Sequence, residues 1–422
     1  MAIEKIRSGI PQVGGQLVRN VYEPPHHEGR KPDGAKLHAG EIVQGTILDI
    51  ISSSEALVKL PIGNLRASLQ GTLAKGDSLF FKVLEIQPSL VLKIFAVPIS
   101  IEGKELASKE ILRILNLPNI NFYRELIAFL RNYQTTISAN ELLILYNSFS
   151  NIKSVDLGNI NFNLLFRVLY FIHGLSIPFS ENLFKKLLPT FRDSKAYSDM
   201  LNMLENEIDS LPKSFQDRLN NYFSAIKNRN LAVIINSFSV KYTLRDDTFL
   251  KLLKDLSENI QNSDNASLNE LQSNIKSLLN LFESSILYNS IASQNNLPFI
   301  FYLPIFLAGF MKLIQIKIKK LASGSEKSKS VIKFSFSLEF ENLGNIDVSG
   351  TIFDRRIDLI LFLEKSESKE IIEKELNNLK YNLIKNNYII GAIHFSDMKD
   401  SEDRDILNQL PQASQQNFTV VV

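Results

Sequence analysis

From Ile332 to Phe340 apolar and polar residues alternate without a break: Ile332, Phe334, Phe336, Leu338 and Phe340 against Lys333, Ser335, Ser337 and Glu339. A period of two puts one set on each side of an extended backbone and predicts a strand with one buried face. The turn Asn342-Leu343-Gly344-Asn345 follows, with its glycine free to take positive φ. Further strands are predicted over Ile346–Phe353 and Arg356–Leu363, parted at Asp354-Arg355. The period then changes. Ile372, Leu376, Leu379 and Leu383 step by four, three and four, which lines one face of a helix. Ser366 or Ser368 is placed to cap its start and Asn386-Asn387 to end it. Ile389–Phe395 returns to strand, giving a β-β-β-α-β unit.

Upstream, Leu297–Ala322 also has period two: Leu313, Ile314, Ile316 and Ile318 alternate with Gln315, Lys317 and Lys319. A hairpin turning at Ala308-Gly309 is predicted, so the C-terminal sheet begins near Leu297. Short alternating strands fill Gly40–Val97, separated by Ser52-Ser53-Ser54, Pro61-Ile62-Gly63, Lys75-Gly76 and Gln87-Pro88. Such spacing predicts a small closed or nearly closed barrel. The opening GEIVQGTILDI is similar to that of oligonucleotide-binding barrels. Base stacking needs surface aromatics and a basic groove. Only Phe80 and Phe81 precede Phe95, and Glu41, Asp49, Glu55, Asp77 and Glu85 offset the lysines, so the barrel is read as structural.

Between them the pattern is helical. Helices are predicted over Lys104–Leu115, Phe122–Tyr133, Ala139–Ser148, Leu164–His173, Glu181–Leu188, Lys195–Ile208, Ser214–Lys227, Phe249–Ile260 and Leu268–Ser290. Ser138 and Ser180 stand where N-caps belong, with Glu141 and Glu181 close behind. The run NINF at Asn119–Phe122 recurs at Asn159–Phe162, an offset of 40. Helix-pair repeats of that period build solenoids; an irregular bundle is the alternative.

The expected architecture is α+β and multidomain. A disordered tail (1–38) precedes a small N-terminal β-barrel (39–100) and a central all-α region (104–292). A C-terminal mixed sheet with one helix packed on it (297–396) and a flexible tail (397–422) complete the chain.

Composition narrows the chemistry. The 422 residues carry a formal net charge of +2 and no cysteine, which excludes disulfides, thiolate nucleophiles and cysteine-ligated zinc. Balanced charge gives no general attraction to nucleic acid or acidic membranes. The opening MAIEKIRSGIPQ lacks a secretory signal pattern, and the most apolar stretch, Leu297–Met311, contains Pro304 and is short for a membrane span. No membrane insertion is expected. Gly71-Thr72-Leu73-Ala74-Lys75-Gly76 has the glycine spacing of a phosphate loop, but Asp77 stands where the lysine must be. His26, His27 and His38 could together bind a metal weakly, but no acidic or histidine constellation elsewhere completes a site, and His173 sits among apolar neighbours, so neither metal nor cofactor is expected. With no serine elbow and no glycine-rich loop, the chain reads as non-enzymatic.

The run LEFENLGNIDVSG (Leu338 to Gly350), followed by strand, helix and a strand ending NNYIIGAIHF, resembles the C-terminal domain of flagellar hook-length control proteins. Leu343-Gly344 matches that family's Leu-Gly turn, and Ile346 and Val348 match its aliphatics. Many members carry Pro-Glu and one further residue before the Leu-Gly pair; here Phe340 replaces the proline and Glu341 matches. Small barrels also precede this domain in several such proteins. The resemblance implies a cytoplasmic protein, exported through the flagellar type III apparatus, with an export signal in its N-terminal tail. Its implied partners are the cytoplasmic domain of the type III export gate and hook or hook-cap proteins. The C-terminal domain would switch export from hook to filament substrates. The candidate switch residues are Leu338, Glu341, Asn342, Leu343, Gly344, Asn345, Ile346 and Val348. The apolar ones and the glycine fix turn and core; Glu341, Asn342 and Asn345 are exposed for contact. Family members measure length with a long disordered Pro/Gln/Ser-rich region, and this chain has a helical middle instead. The match therefore supports the switch rather than the ruler. The rival expectation is a non-enzymatic scaffold or nucleic-acid-binding protein using the barrel at 40–97.

Overall fold

The computed structural model describes residues 37–52, 55–70, 73–87, 89–101, 104–134, 136–153, 160–230, 234, 248–260, 266–307, 309–321 and 331–398. The two expected tails (but for residues 37–38 and 397–398), with His26, His27 and Gly71-Thr72, lie outside these residues.

Strands β1 (Ile42–Ser52), β2 (Glu55–Leu60), β3 (Gly63–Gln70), β4 (Ser78–Glu85) and β5 (Leu90–Pro98) form the barrel. β1, β2 and β3 meander, β4 pairs with β1 and β5, and a parallel β3–β5 pairing closes the circle. Val43, Ile47, Val58, Leu79, Phe81, Val83 and Leu92 fill it. Asp77 has a structural task here. Its carboxylate accepts the Ala74 N–H at 2.7 Å, and its carbonyl accepts the Ile47 N–H at 2.9 Å, so the described part of the phosphate-loop lookalike, residues 73–76, leads through a turn locked to β1.

Lys104-Glu105 departs from the predicted helix. These residues form β7, paired with β6 (Ser100–Ile101), and α1 begins only at Ser108 (Ser108–Ile114). The helices that follow are α2 (Asn121–Leu130), α3 (Ala139–Ser150), α4 (Phe162–Gly174), α5 (Glu181–Phe191), α6 (Lys195–Asn206), α7 (Lys213–Lys227), α8 (Phe249–Ile260) and α9 (Ala266–Gln294). β8 (Thr136–Ile137) pairs with β5 and ties them to the barrel. Ser138 and Ser180 cap α3 and α5, each hydroxyl accepting a backbone N–H at 3.2 Å. The NINF echo marks equivalent places. Phe122 and Phe162 open α2 and α4, and their rings meet edge to face at 6.3 Å.

The C-terminal sheet has the order β14-β13-β12-β11-β10-β9. Its strands are β9 (Phe299–Leu307), β10 (Phe310–Leu321), β11 (Val331–Phe340), β12 (Gly344–Phe353), β13 (Arg356–Leu363) and β14 (Ile389–Asp397), with α10 (Ser368–Lys385) crossing from β13 to β14. Only β13–β14 is parallel. The fold is thus an α+β multidomain chain: closed barrel, central helices, and a mixed six-stranded sheet carrying one helix.

The sheet serves two cores. Ile346, Ile357, Leu359, Leu361 and Leu363 pack with Ile372 and Leu383 of α10. Ile300, Tyr302, Met311 and Leu313 of the first hairpin belong instead to the core shared by barrel and helices. The hairpin predicted as the start of the C-terminal domain is therefore also a wall of the helical one. β10 pairs with β11 only from Ile316 to Leu321. Beyond that the strands part, and α6 supplies what β11 does not. Asn202 exchanges two hydrogen bonds with the Met311 backbone (2.8 and 2.9 Å), and the Ser198 hydroxyl accepts the Leu313 N–H at 2.8 Å. On β9, Asn289 of α9 grips both backbone groups of Ile300 at 2.7 Å. Side-chain amides and a hydroxyl replace the missing ladder partners, so these backbone polar groups stay satisfied.

Candidate functional site

Strand β11 runs into β12 through Glu341-Asn342-Leu343, with Phe340 opposite Gly344 and Leu338 opposite Ile346. The three-residue turn requires a left-handed residue at its exit. Gly344 supplies it at φ +73°. The register then places Ile346 against Leu363 and Val348 against Leu361, so both matched aliphatics face the α10 core.

The β13–α10 junction holds this turn from the other side. The Glu364 carboxylate accepts the Asn345 N–H at 2.7 Å, and the Glu364 N–H donates to the Asn345 carbonyl at 3.1 Å. Lys365 Nζ donates to the Asn342 carbonyl at 3.2 Å. The Ser368 hydroxyl donates to the Leu343 carbonyl at 2.7 Å. The predicted capping role of Ser366 or Ser368 is thereby corrected. The N-cap is Glu367 without a side-chain bond, because the Ser368 hydroxyl is spent on the turn. The opposite end matches expectation: Asn386 is the C-cap and Asn387 takes φ +62°.

Gly344 is doubly constrained. A Cβ there would lie 2.9 Å from Glu364 Oε2 and 3.3 Å from Lys365 Cγ. Of the candidate residues, Gly344 and Ile346 are buried, Leu338, Leu343 and Val348 half-buried, and Glu341, Asn342 and Asn345 exposed. The structure brings all eight together on one hairpin. It adds Glu364 and Lys365, to which the sequence pattern gave no role, and Ser368, which it offered as a cap. The only signal for them was a polar cluster, Glu364-Lys365-Ser366-Glu367-Ser368, directly after an apolar strand.

A second polar arrangement lies at the parallel β13–β14 pair. The register slips between Ile357 and Leu359, and the Asp358 carboxylate fills the slip, accepting the Ala392 N–H at 2.7 Å and pairing with Arg356 at 3.2 Å. A Cβ on Gly391 would fall 1.9 Å from Asp358 Oδ1, so glycine makes room for it. The Ala392 amide, then Arg356, hold the Asp358 carboxyl below its ordinary value.

Elsewhere, His173 accepts or donates at 2.8 Å to the Ser148 hydroxyl, and burial lowers its pKa. The pair joins a buried hydroxyl to a half-buried ring, and no third group orients the ring among the described contacts. Among the described residues no cluster of His, Asp and Glu could hold a metal ion, and no helix is long and apolar enough to cross a membrane. In the barrel, Phe81 is wholly buried and Phe80 half-buried. No family model, curated protein or solved structure matches this chain.

Proposed function

We propose that this chain is a non-enzymatic flagellar assembly factor of the hook-length control type. Its C-terminal sheet would switch type III export from hook to filament substrates by contacting the cytoplasmic domain of the export gate. The observation that supports this reading is the clasped Leu343-Gly344 turn. The sequence match rests on that turn, and the fold gives it rigidity while presenting Glu341, Asn342 and Asn345 to solvent. A preorganised polar tip on a rigid hairpin suits recognition, because little side-chain and loop freedom is lost on binding. The protein acts in the cytoplasm on this reading, whether or not it is later exported.

The experiment is genetic. In a flagellated host carrying this gene, deleting residues 297–422 is expected to give overlong hooks with few filaments. Replacing Glu341, Asn342 and Asn345 together by alanine is expected to do the same with the fold intact by circular dichroism. Normal hooks and filaments in the deletion strain, seen by electron microscopy, refute the proposal.

A further inference from the structure

The two edges of the C-terminal sheet are treated differently. The outer side of β9 is covered by α9, through the Asn289 grip on Ile300. β14 is the other edge, and no described strand pairs with its outer side. Exposed edges are normally guarded by Lys, Glu, Pro or a twist away from the sheet. The run Ile389-Ile390-Gly391-Ala392-Ile393-His394-Phe395-Ser396 carries none of those residues. Its bulge at Gly391-Ala392 faces β13 and is filled by Asp358. Large apolar groups are exposed on this strand and on α10: Ile389 is 62% exposed, Ile384 61% and Tyr381 67%.

Helix α10 says what fits there. As the crossover between parallel strands it runs antiparallel to β14, on which it rests. Lys369 Nζ sits 5.8 Å above the Phe395 ring, which marks the flank of α10 turned toward the edge. At about 100° per residue, Lys369, Glu373, Lys380 and Ile384 all lie on that flank. Lys369 and Glu373 pair along it at 3.9 Å. The flank is antisymmetric in charge about its middle, with Glu373 before the centre and Lys380 after it.

We propose that β14 is a dimerisation edge for a second copy of this chain. Two β14 strands pair antiparallel about a two-fold axis, continuing one sheet through both subunits, and the two α10 helices lie side by side. The symmetry then sets Glu373 of each copy opposite Lys380 of the other and Lys369 opposite Ile384, whose apolar surface takes the lysine stem. The strand, free of charged side chains from Ile389 to Phe395 apart from His394 and ending on Asp397, and the self-complementary helix flank point to the same occupant, and the inference stands apart from the export role.

The test uses sedimentation equilibrium of the full chain at low and high salt. A mass of two chains is expected, weakening as salt rises. Glu373→Lys and Lys380→Glu, both on the helix surface, should each raise the dimer Kd on the order of tenfold, since each change acts twice. The double swap should restore it. Truncation after Met398 should leave the dimer unchanged. A monomer at all accessible concentrations overturns the proposal, as does a dimer indifferent to the single variants or not rescued by the swap. A chain that dimerises only after truncation also overturns it, by making residues 399–422 the edge's occupant.

Discussion

Substituting Gly344 tests whether the turn is held as tightly as its contacts imply. Valine there meets two penalties. A β-branched residue at φ +73° costs about 1–3 kcal/mol in backbone strain. Its Cβ also arrives 2.9 Å from Glu364 Oε2, so the carboxylate must swing off the Asn345 N–H. Losing that solvent-exposed, charge-assisted bond adds about 1 kcal/mol. The total is about 2–4 kcal/mol, which raises the opening constant of the local unit by about 30- to 1000-fold at ~1.4 kcal/mol per decade. Hydrogen exchange read by mass spectrometry resolves where this falls. Peptides from 331–398 should exchange faster while those from the barrel at 42–98 keep their protection. Gly344→Asn, which tolerates left-handed backbone, should cost least, Gly344→Ala more and Gly344→Val most. Equal protection in wild type and Gly344→Val refutes the strain argument; loss spread evenly over barrel and sheet refutes the localisation.

Other perturbations follow from the buried polar contacts. Asn289→Leu strands the N–H and C=O of Ile300 inside the protein and should lower stability by about 2–5 kcal/mol in urea denaturation; a loss under about 1 kcal/mol would show the grip to be dispensable. His173 is held neutral by burial, and the unfolded chain takes up its proton near its ordinary value of 6.5. Its contribution is therefore complete above that pH and declines as pH falls below it toward the lowered folded value. A His173→Gln variant should flatten the urea midpoint over this range, and an unchanged slope contradicts the assignment. Asp358 has the opposite chemistry and the same direction of loss. Its support of the β13–β14 slip is present above the ordinary value of 3.8 and disappears as pH falls through the lower folded one. The Ala392 amide resonance should titrate below 3.8 in wild type and not at all in Asp358→Asn; a midpoint at or above 3.8 would refute the contact.

Much of this architecture is written in local periodicity. Alternation from Ile332 to Phe340 and the four-three-four stepping from Ile372 to Leu383 each predict a buried face; in the structure Phe334, Phe340, Ile372 and Leu383 are half-buried against the C-terminal core, while Leu379 is 37% exposed. The Ser138 and Ser180 caps were legible because an N-cap and its N–H are neighbours in sequence. Contacts set by distant chain were not. Asn202 and Asn289 look like ordinary surface amides until β10 arrives 109 residues after the first and β9 arrives 11 residues after the second. Ser368 has cap-like sequence but meets a carbonyl 25 residues upstream. Lys104-Glu105 has helical composition, yet pairing with Ser100-Ile101 outweighs so weak a preference. At the candidate site the turn and its glycine were foreseeable; the three side chains that hold it were not.

The hairpin shared between two cores also orders the protein's birth. A ribosome delivers the barrel complete by Pro98 and the helices by Gln294, but Ile300, Tyr302, Met311 and Leu313 come after both. Until they emerge, α6 and α9 must wait with Ser198, Asn202 and Asn289 lacking their hairpin partners and an apolar wall missing. Nascent chains halted before residue 297 should therefore hold a finished barrel and an unfinished helical core, the kind of intermediate that chaperones engage. Completion of the middle of this molecule is deferred to its third quarter of synthesis, and the last described strand, β14, arrives at a sheet whose opposite side is already anchored.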